Sequence, residues 1–470
     1  MRDDDMPLDH RTLSTRPSTA YLDQTSRDIR ARVAAAHTRH ARDGATPLDA
    51  YPEQGRLWQL AERTAQDLAG DLNELLHHLH ANPELAFEET IAQQAIVDLL
   101  ARHGHTAQTG VHGLDTALRS SFSTPGYRPR IHPTVAVMAE YDALPDIGHA
   151  CGHNIIAAAG VGAYLAAVDT LAHADAGIEG QVVLLGTPAE EGHSGKEYMI
   201  RGGALDGVDM AVMLPPCSYD IASHVWVGRR TLRATFTGIA AHASSQPFMG
   251  RNALDAASLA YQGIGLLRQQ MPPTDRIHAV ITEGGRRPSV IPDHTVLDIY
   301  VRSLLPQALV DLSARIDDIL DGATLMAGCR VDKEWDTHPP TLPVRNNETL
   351  AARWAITQEH RDRLSLPAGV MPGSVAASTD FGNVSHLVPG IHPMVQIAPE
   401  DVALHTREFA RHAKSPAAEA ATVDSVIGLA QVIIDILADE QLREEAHREF
   451  AEAGGAWRVE DYFRGGQPRI

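Results

Sequence analysis

The sequence predicts an α/β protein: a mostly parallel, helix-covered sheet with a smaller ferredoxin-like α+β unit inserted into it. Short apolar runs at Val135–Glu140, Gln181–Thr187 and Met210–Leu214 alternate with helical stretches at Asn154–Ala172 and Lys196–Arg201. Strands this apolar are buried on both faces, and strand–helix–strand alternation makes them parallel. From Arg229 onward apolar and polar residues alternate, as in strands with one wet face. The composition, 44% hydrophobic and 21% charged over 470 residues, is globular and long enough for two domains.

Taken in order, residues 1–60 read as an extension, with helical character over Tyr21–His40 and a linker carrying Pro47 and Pro52. The amphipathic period predicts one helix over Leu57–His80 and another over Thr90–His103. The first domain is expected over 61–228 and 339–440, interrupted by the inserted unit at 229–338. That unit carries strands at Arg229–Thr237, Ile277–Glu283, Thr295–Arg302 and Arg330–Trp335, with helices at Asn252–Gln270 and Gln307–Leu320. The order β-α-β-β-α-β is the ferredoxin-like pattern with an antiparallel sheet. Pro-rich His338–Pro343 leads back to helices at Glu348–Arg361 and Ala417–Asp439, and 441–470 reads as a tail.

A net charge of -20 argues against nucleic acid as a partner. Cys151, Cys217 and Cys329 are too few and scattered for a disulfide framework, which fits a reducing cytoplasm. The acidic start has no signal-peptide core, and no run of about 18 apolar residues is expected to span a membrane.

The segment E-Y-D-A-L-P-D-I-G-H-A-C-G-H-N, Glu140 to Asn154, sets His149, Cys151 and His153 at alternating positions after a buried strand. A thiolate and an imidazole so close suit a soft divalent metal. G-T-P-A-E-E-G-H-S-G-K, Gly186 to Lys196, also follows a strand, where ligands bind in open α/β sheets. Its adjacent Glu190 and Glu191 point in different directions, so one can hold a metal while the other faces the activated water. A solvated acidic turn is the plain alternative. His405, in A-L-H-T, Asp380, in S-T-D-F-G-N-V-S-H, and His242, in G-I-A-A-H-A-S-S, read alone as a surface histidine, a helix cap and a packed histidine.

Together these four segments resemble the aminoacylase/hippurate-hydrolase family of metallopeptidases, peptidase family M-twenty, in its amidohydrolase branch. They are most similar to members such as aminobenzoyl-glutamate hydrolase and the β-alanyl-lysine dipeptidase. The likeness covers roughly Leu72 to Asp439. It implies a zinc-exopeptidase-like catalytic domain and a lid domain through which such proteins dimerise. It also implies hydrolysis of a small amide substrate with one or two zinc or manganese ions, cobalt being suited as well. By resemblance, Cys151 bridges the metals, Glu191 and His405 complete one and His153 binds the other. Glu190 is the implied general base, His242 the residue that polarises the scissile carbonyl from the lid, and Asp380 a supporting residue. Arg302, in Y-V-R-S, falls at a family position near the lid strands.

Two positions depart from the family. Pro215 stands where a metal-binding histidine is expected, and proline offers no donor atom. Cys217, His193 and His224 are candidate replacements, beside a depleted or single-metal site. Ser289 replaces an asparagine expected to contact substrate, and nearby Arg286 and Arg287 are carboxylate readers or surface charges on a turn. Three readings follow. The leading one is a cytoplasmic metal-dependent amidohydrolase acting on an N-acyl amino acid, an aminobenzoyl-glutamate-like conjugate or a small dipeptide. The others are a single-metal biosynthetic hydrolase or amide-forming enzyme, and a catalytically degenerate binding protein.

Overall fold

The computed structural model describes residues 18–43, 52–173, 177–373 and 376–463, in two compact units divided after Gly44. The first holds α1 (Ala20–Asp43), with Asp23 in its first turn and His40 and Arg42 in its last, the arrangement its dipole favours.

The second unit opens with α2 (Pro52–Asp67) and α3 (Ala69–Ala81), where a single helix was expected. The break is one residue wide. The Leu68 and Leu72 N–H groups still bond the Thr64 and Leu68 carbonyls across it, and Gly70, a weak helix former, lies just beyond. Leu57 and Trp58 are buried, so the core begins before residue 60. There follow α4 (Thr90–Arg102), β1 (Gln108–Thr109), β2 (Leu118–Ser123), β3 (Thr134–Ala139), α5 (His153–His173), β4 (Gln181–Gly186), α6 (Gly195–Arg201), β5 (Met210–Val212) and β6 (Pro216–Cys217). The inserted segment comprises β7 (Gly228–Thr237), β8 (Ala241–His242), α7 (Ala253–Leu267), β9 (Arg276–Glu283), β10 (Val290–Ile291), β11 (His294–Ser303), α8 (Pro306–Ala327) and β12 (Arg330–Trp335). The chain returns through α9 (Glu348–Glu359), α10 (Phe381–Ser385), β13 (Gly390–Ile391), β14 (Val395–Gln396), α11 (Arg407–His412), α12 (Pro416–Ala438), α13 (Glu440–Glu452) and α14 (Val459–Phe463).

The main sheet runs β1-β2-β4-β3-β5-β13. β4, β3, β5 and β13 are parallel, but β1 and β2 join antiparallel at one edge, so the sheet is mixed. The two-residue period of a strand divides its side chains between two cores. Val135, Val137, Val182, Leu184 and Val212 face α2, α3, α5 and α12. Ala136, Met138, Val183, Leu185 and Ala211 face α6 and α10. α5 and α12 correct the expectation that no segment is apolar enough to cross a bilayer. By length and composition both are, at 21 and 23 residues, yet 89% and 83% of their most apolar windows are buried inside the protein. They are the central helices of the larger core.

The inserted segment forms a four-stranded antiparallel sheet, β12-β7-β11-β9. Leu232, Phe236, Leu297 and Val301 pack on α7 and α8. α8 runs past the expected Leu320 to Ala327, where Gly328 ends it in the left-handed conformation. Thr231, Arg233, Asp298, Tyr300 and Arg302 alternate with that core and form the opposite face. The two connections to the main sheet lie side by side: Arg229 and Thr341 exchange N–H···O bonds of 2.8 and 3.0 Å. A side chain at Gly228 would stand 2.7 Å from the Pro343 ring and 2.9 Å from the Thr341 carbonyl, which explains the glycine.

Residues expected as a tail form α13 and α14, and α14 packs against these connections. Phe463 of α14 and Trp335 each lie 4.2 Å from the Arg230 guanidinium, which pairs with Asp336 at 2.6 Å. The Tyr462 hydroxyl meets His386 at 3.2 Å.

Candidate metal centre

Three of the four segments singled out in the sequence meet near the C-terminal ends of β3 and β4, where an open α/β sheet binds ligands. The turn after β3 delivers Glu140, Asp142 and Cys151, and His153 opens α5. The turn after β4 delivers Glu190 and Glu191. Donor atoms of Cys151, His153 and Glu191 all lie within 4.8 Å of one another, and His405 Nε2 stands 3.5 Å from Glu191 Oε1. That oxygen is buried without a hydrogen-bond partner. Ligands around a tetrahedral zinc stand roughly 3.3–3.8 Å apart, so this soft, mixed S/N/O donor set fits one divalent ion.

Asp142 fixes two of these groups. Its Oδ1 lies 3.0 Å from His153 Nδ1, and its Oδ2 accepts from the Glu191 N–H at 2.8 Å. The first contact turns His153 Nε2 toward the cluster. There it stands 3.4 Å from Glu140 Oε2 and 3.9 Å from both Glu190 Oε2 and Glu191 Oε1.

A second set adjoins the first. Oxygens of Glu140, Glu190 and Asp380 lie within 4.8 Å of one another. The Lys196 ammonium sits among them, bonded to Glu140 and, at 2.7 Å, to Asp380. The other Asp380 oxygen accepts from the Lys196 N–H at 2.9 Å.

Burial sets the electrostatics. It raises Glu190 well above the ordinary carboxylate range, reinforced by the charges of Glu140, Glu191 and Asp380. Glu191 is pushed up to about 7, by burial first. Burial also raises the Cys151 thiol, with Glu191 adding to it. Burial alone would lower His153, but Cys151, Asp142 and Glu140 hold it well above the usual imidazole value. His405 is lowered by burial and by the charges of His153 and Arg302.

The backbone is bent hard here. Ala189, Ser194 and His405 adopt left-handed φ of 59°, 60° and 59°, a conformation uncommon outside glycine and concentrated at functional sites. Glu89 supports the first of these turns, accepting from the Ala189 N–H at 2.8 Å while its other oxygen takes the Thr116 hydroxyl. Gly152 has φ of 83°, and a side chain there would run into the Pro216 ring, which packs against the Cys151–His153 loop.

None of the three candidate replacement residues joins either cluster. β6 pairs with β14, so Cys217 is engaged by that neighbour's backbone and by the N–H groups of Ser218 and Tyr219. His224 packs edge-on to Trp226, and burial lowers it to about 4. His193 Nδ1 bonds the Glu191 carbonyl at 2.7 Å, and its ring lies 4.4 Å from that of His338. Pro215 contributes only its carbonyl, accepting from the Val395 N–H.

His242 and Ser289 are exposed on the β8–β10 pair of the inserted unit, outside the clusters. His242 Nδ1 accepts from the Ser244 and Ser245 N–H groups. Arg302 lies over the Tyr300 ring at 4.5 Å with its Nε buried and unpartnered. A groove of about 540 Å³ runs between the open face of the inserted sheet and the metal loop, lined by Gly192, Thr231, His278, Tyr300 and His338. Sequence reasoning missed Glu140, Asp142, Lys196 and Glu89. Glu140 and Asp142 carried a signal, two carboxylates at the end of an otherwise apolar strand; Lys196 and Glu89 carried none.

A family model described as peptidase family M20/M25/M40 matches residues 136–425. The chain is 36% identical over 395 residues to a Mus musculus protein named Xaa-Arg dipeptidase, covering 83% of this chain and 91% of that one. It is 34% identical to the Homo sapiens protein of the same name, covering 87% and 96%. With one of the subunits of the p-aminobenzoyl-glutamate hydrolase of Escherichia coli it shares 30% identity over 56% of this chain and 58% of that one. Among solved structures, an aminohydrolase of Staphylococcus aureus superposes with a TM-score of 0.66 at 23% identity, over 81% of this chain and 99% of that one. A Bacillus subtilis protein described as a dinuclear metal-binding peptidase does so at 0.59 and 17%, over 79% and 99%.

Proposed function

Since this chain belongs to peptidase family M20/M25/M40 and is a metal-dependent hydrolase of amide bonds, we propose that it splits small dipeptides and N-acyl amino acids. Dipeptides with a basic C-terminal residue are the first to test, given the relatives' name. The observation that carries this reading is Glu190, a buried carboxyl with a raised pKa, 3.9 Å from His153 Nε2 at the edge of a metal-fitting cluster.

Cys151, His153, Glu191 and His405 would hold the ion, which when bound supplies Lewis acidity to the scissile carbonyl and to water. Asp142 keeps the His153 ring oriented and Glu191 in place. Glu190 takes the proton from the attacking water and returns it to the leaving amine, the role of a general base beside the metal-fitting cluster. The groove beside Gly192 and Tyr300 seats the substrate's side groups and excludes water from them. Arg302, with an unpartnered Nε and its charge felt at His405, is positioned for the substrate carboxylate.

The inserted sheet acts as a lid in this reading. β9 is one of its edge strands, and Tyr261 and Leu266 of α7 are exposed, a surface suited to a second copy of the chain. A cytoplasmic homodimer would then bring His242 of one copy to the substrate of the other. The deciding experiment is Glu190→Gln assayed on Xaa-Arg dipeptides, acyl amino acids and p-aminobenzoyl-glutamate. Turnover should fall by on the order of 1,000-fold while metal content is kept; undiminished turnover would sink the assignment.

A further inference from the structure

The two carboxylate sets of the centre differ in what balances their charge. Around Cys151, His153 and Glu191 a buried carboxylate oxygen, Glu191 Oε1, faces two imidazoles but accepts no hydrogen bond, and an incoming ion completes that set. Around Glu140, Glu190 and Asp380 a cation is already part of the chain. The Lys196 side chain, 2% exposed, ends between Glu140 Oε1 and Asp380 Oδ1. Asp380 also holds the Lys196 backbone N–H, so the base and tip of one residue are pinned by one carboxylate. Glu140 spans the two sets, with Oε1 on the ammonium and Oε2 3.4 Å from His153 Nε2.

We propose that Lys196 is the second cation of a centre that binds a single metal ion. Its ammonium fills the Glu140–Glu190–Asp380 cage, keeps a divalent ion out of it, and holds the cage's carboxylates so that Glu190 faces the reacting water. Lys196 is a positioning residue here: it acts through Glu140, Asp380 and Glu190. The fully buried charge is compensated on the spot, which is the condition for keeping an ammonium out of water, and its pKa is raised by Asp380, Glu140 and Glu190 against the effect of burial. The ligand inventory agrees. Pro215 brings no donor, and Cys217, His193 and His224 are engaged elsewhere. His153 and Cys151 alone fall short of the three protein ligands a second catalytic zinc requires.

The inference rests on the metal-centre reading above, and metal counting tests it without substrate. Chelator-stripped protein is reloaded with excess zinc or manganese, desalted, and its metal content measured. The wild-type chain should retain one ion per chain; two would overturn the proposal. Lys196→Met, of similar length but uncharged, opens an uncompensated three-carboxylate cage and should raise the count toward two. Its kcat on any substrate of the wild type should fall by on the order of 100-fold with KM changed far less. A variant that keeps one ion and wild-type kcat would also overturn the proposal. If Lys196→Met does not fold, cobalt(II) titration of the wild-type chain decides. Absorbance saturating at one equivalent supports the proposal, and a second absorbing equivalent refutes it. Failure to hydrolyse any amide offered would count against the proposed function, while the metal count would still stand for or against this inference.

Discussion

Replacing Asp142 by asparagine tests how the centre is held. The carboxylate is fully buried and accepts from two groups at once, His153 Nδ1 and the Glu191 N–H, at 3.0 and 2.8 Å. Burial alone would raise its pKa, yet the His153 charge and these bonds hold it below the ordinary aspartate value. Hydrogen bonds to a charged group contribute about 1.5–3 kcal/mol each. Asparagine keeps the shape but offers one acceptor oxygen and one NH2 group. Either His153 Nδ1–H or the Glu191 N–H then faces a donor, and the ring or the turn after β4 shifts. Loss of such a supporting carboxylate lowers metal affinity by about 10- to 100-fold, or roughly 1.4–2.7 kcal/mol. Competition against a colorimetric chelator on stripped protein reads this directly, with circular dichroism verifying the fold. A folded Asp142→Asn with wild-type metal affinity would refute the claim that Asp142 orients His153.

Other perturbations follow from the same geometry. Gly152→Ala forces a side chain into the Pro216 ring at a φ of 83°; it should cost about 1–3 kcal/mol in a denaturant melt and weaken metal binding, and unchanged stability would mean the loop has slack. Asp435, bonded to Trp58 Nε1 at 2.8 Å, is pushed up to about 7 by burial, against about 4 in an unfolded chain. The folded state therefore holds a proton the unfolded chain has released, a contribution complete below about pH 4 and lost as pH rises through 7. Asp435→Asn should flatten the fall in melting temperature across that window, and an unchanged slope would assign the pH dependence elsewhere. Phe463→Ala removes one of the two rings stacked on Arg230. It should lower stability by about 1–3 kcal/mol and speed proteolysis within Thr337–Arg345.

What the sequence disclosed and what it hid divide along physical lines. β3 and β4 are continuous apolar runs because both their faces are buried, so they stand out. β2, L-R-S-S-F-S, has no continuous apolar run to mark it, because its polar Ser120 is satisfied by the Thr106 carbonyl, 14 residues away. The Cys151–His153 and Glu190–Glu191 segments were legible because soft and acidic donors at such short fixed spacing, each just past a buried strand, seldom gather without a ligand to hold. Lys196 was not, because its partners Glu140 and Asp380 lie 56 and 184 residues away in the chain. Cys217, weighed as a replacement ligand for its nearness to Pro215, lies on β6 paired with β14 and is in neither donor cluster.

The way the main sheet is assembled has a consequence for biosynthesis. Its edge strand β13 and the central helix α12 come from residues 390–391 and 416–438, after the whole inserted unit. On the ribosome the inserted sheet, contiguous from Gly228 to Trp335, can close while the sheet that carries the metal loop still lacks an edge. Domains fold as they emerge, and pairings distant in sequence form last. For an interval near the end of translation α5 is therefore an apolar helix without its main partner, α12. Strains depleted of the chaperones that shelter such surfaces should yield less soluble protein from the full chain than from residues 228–335 expressed alone.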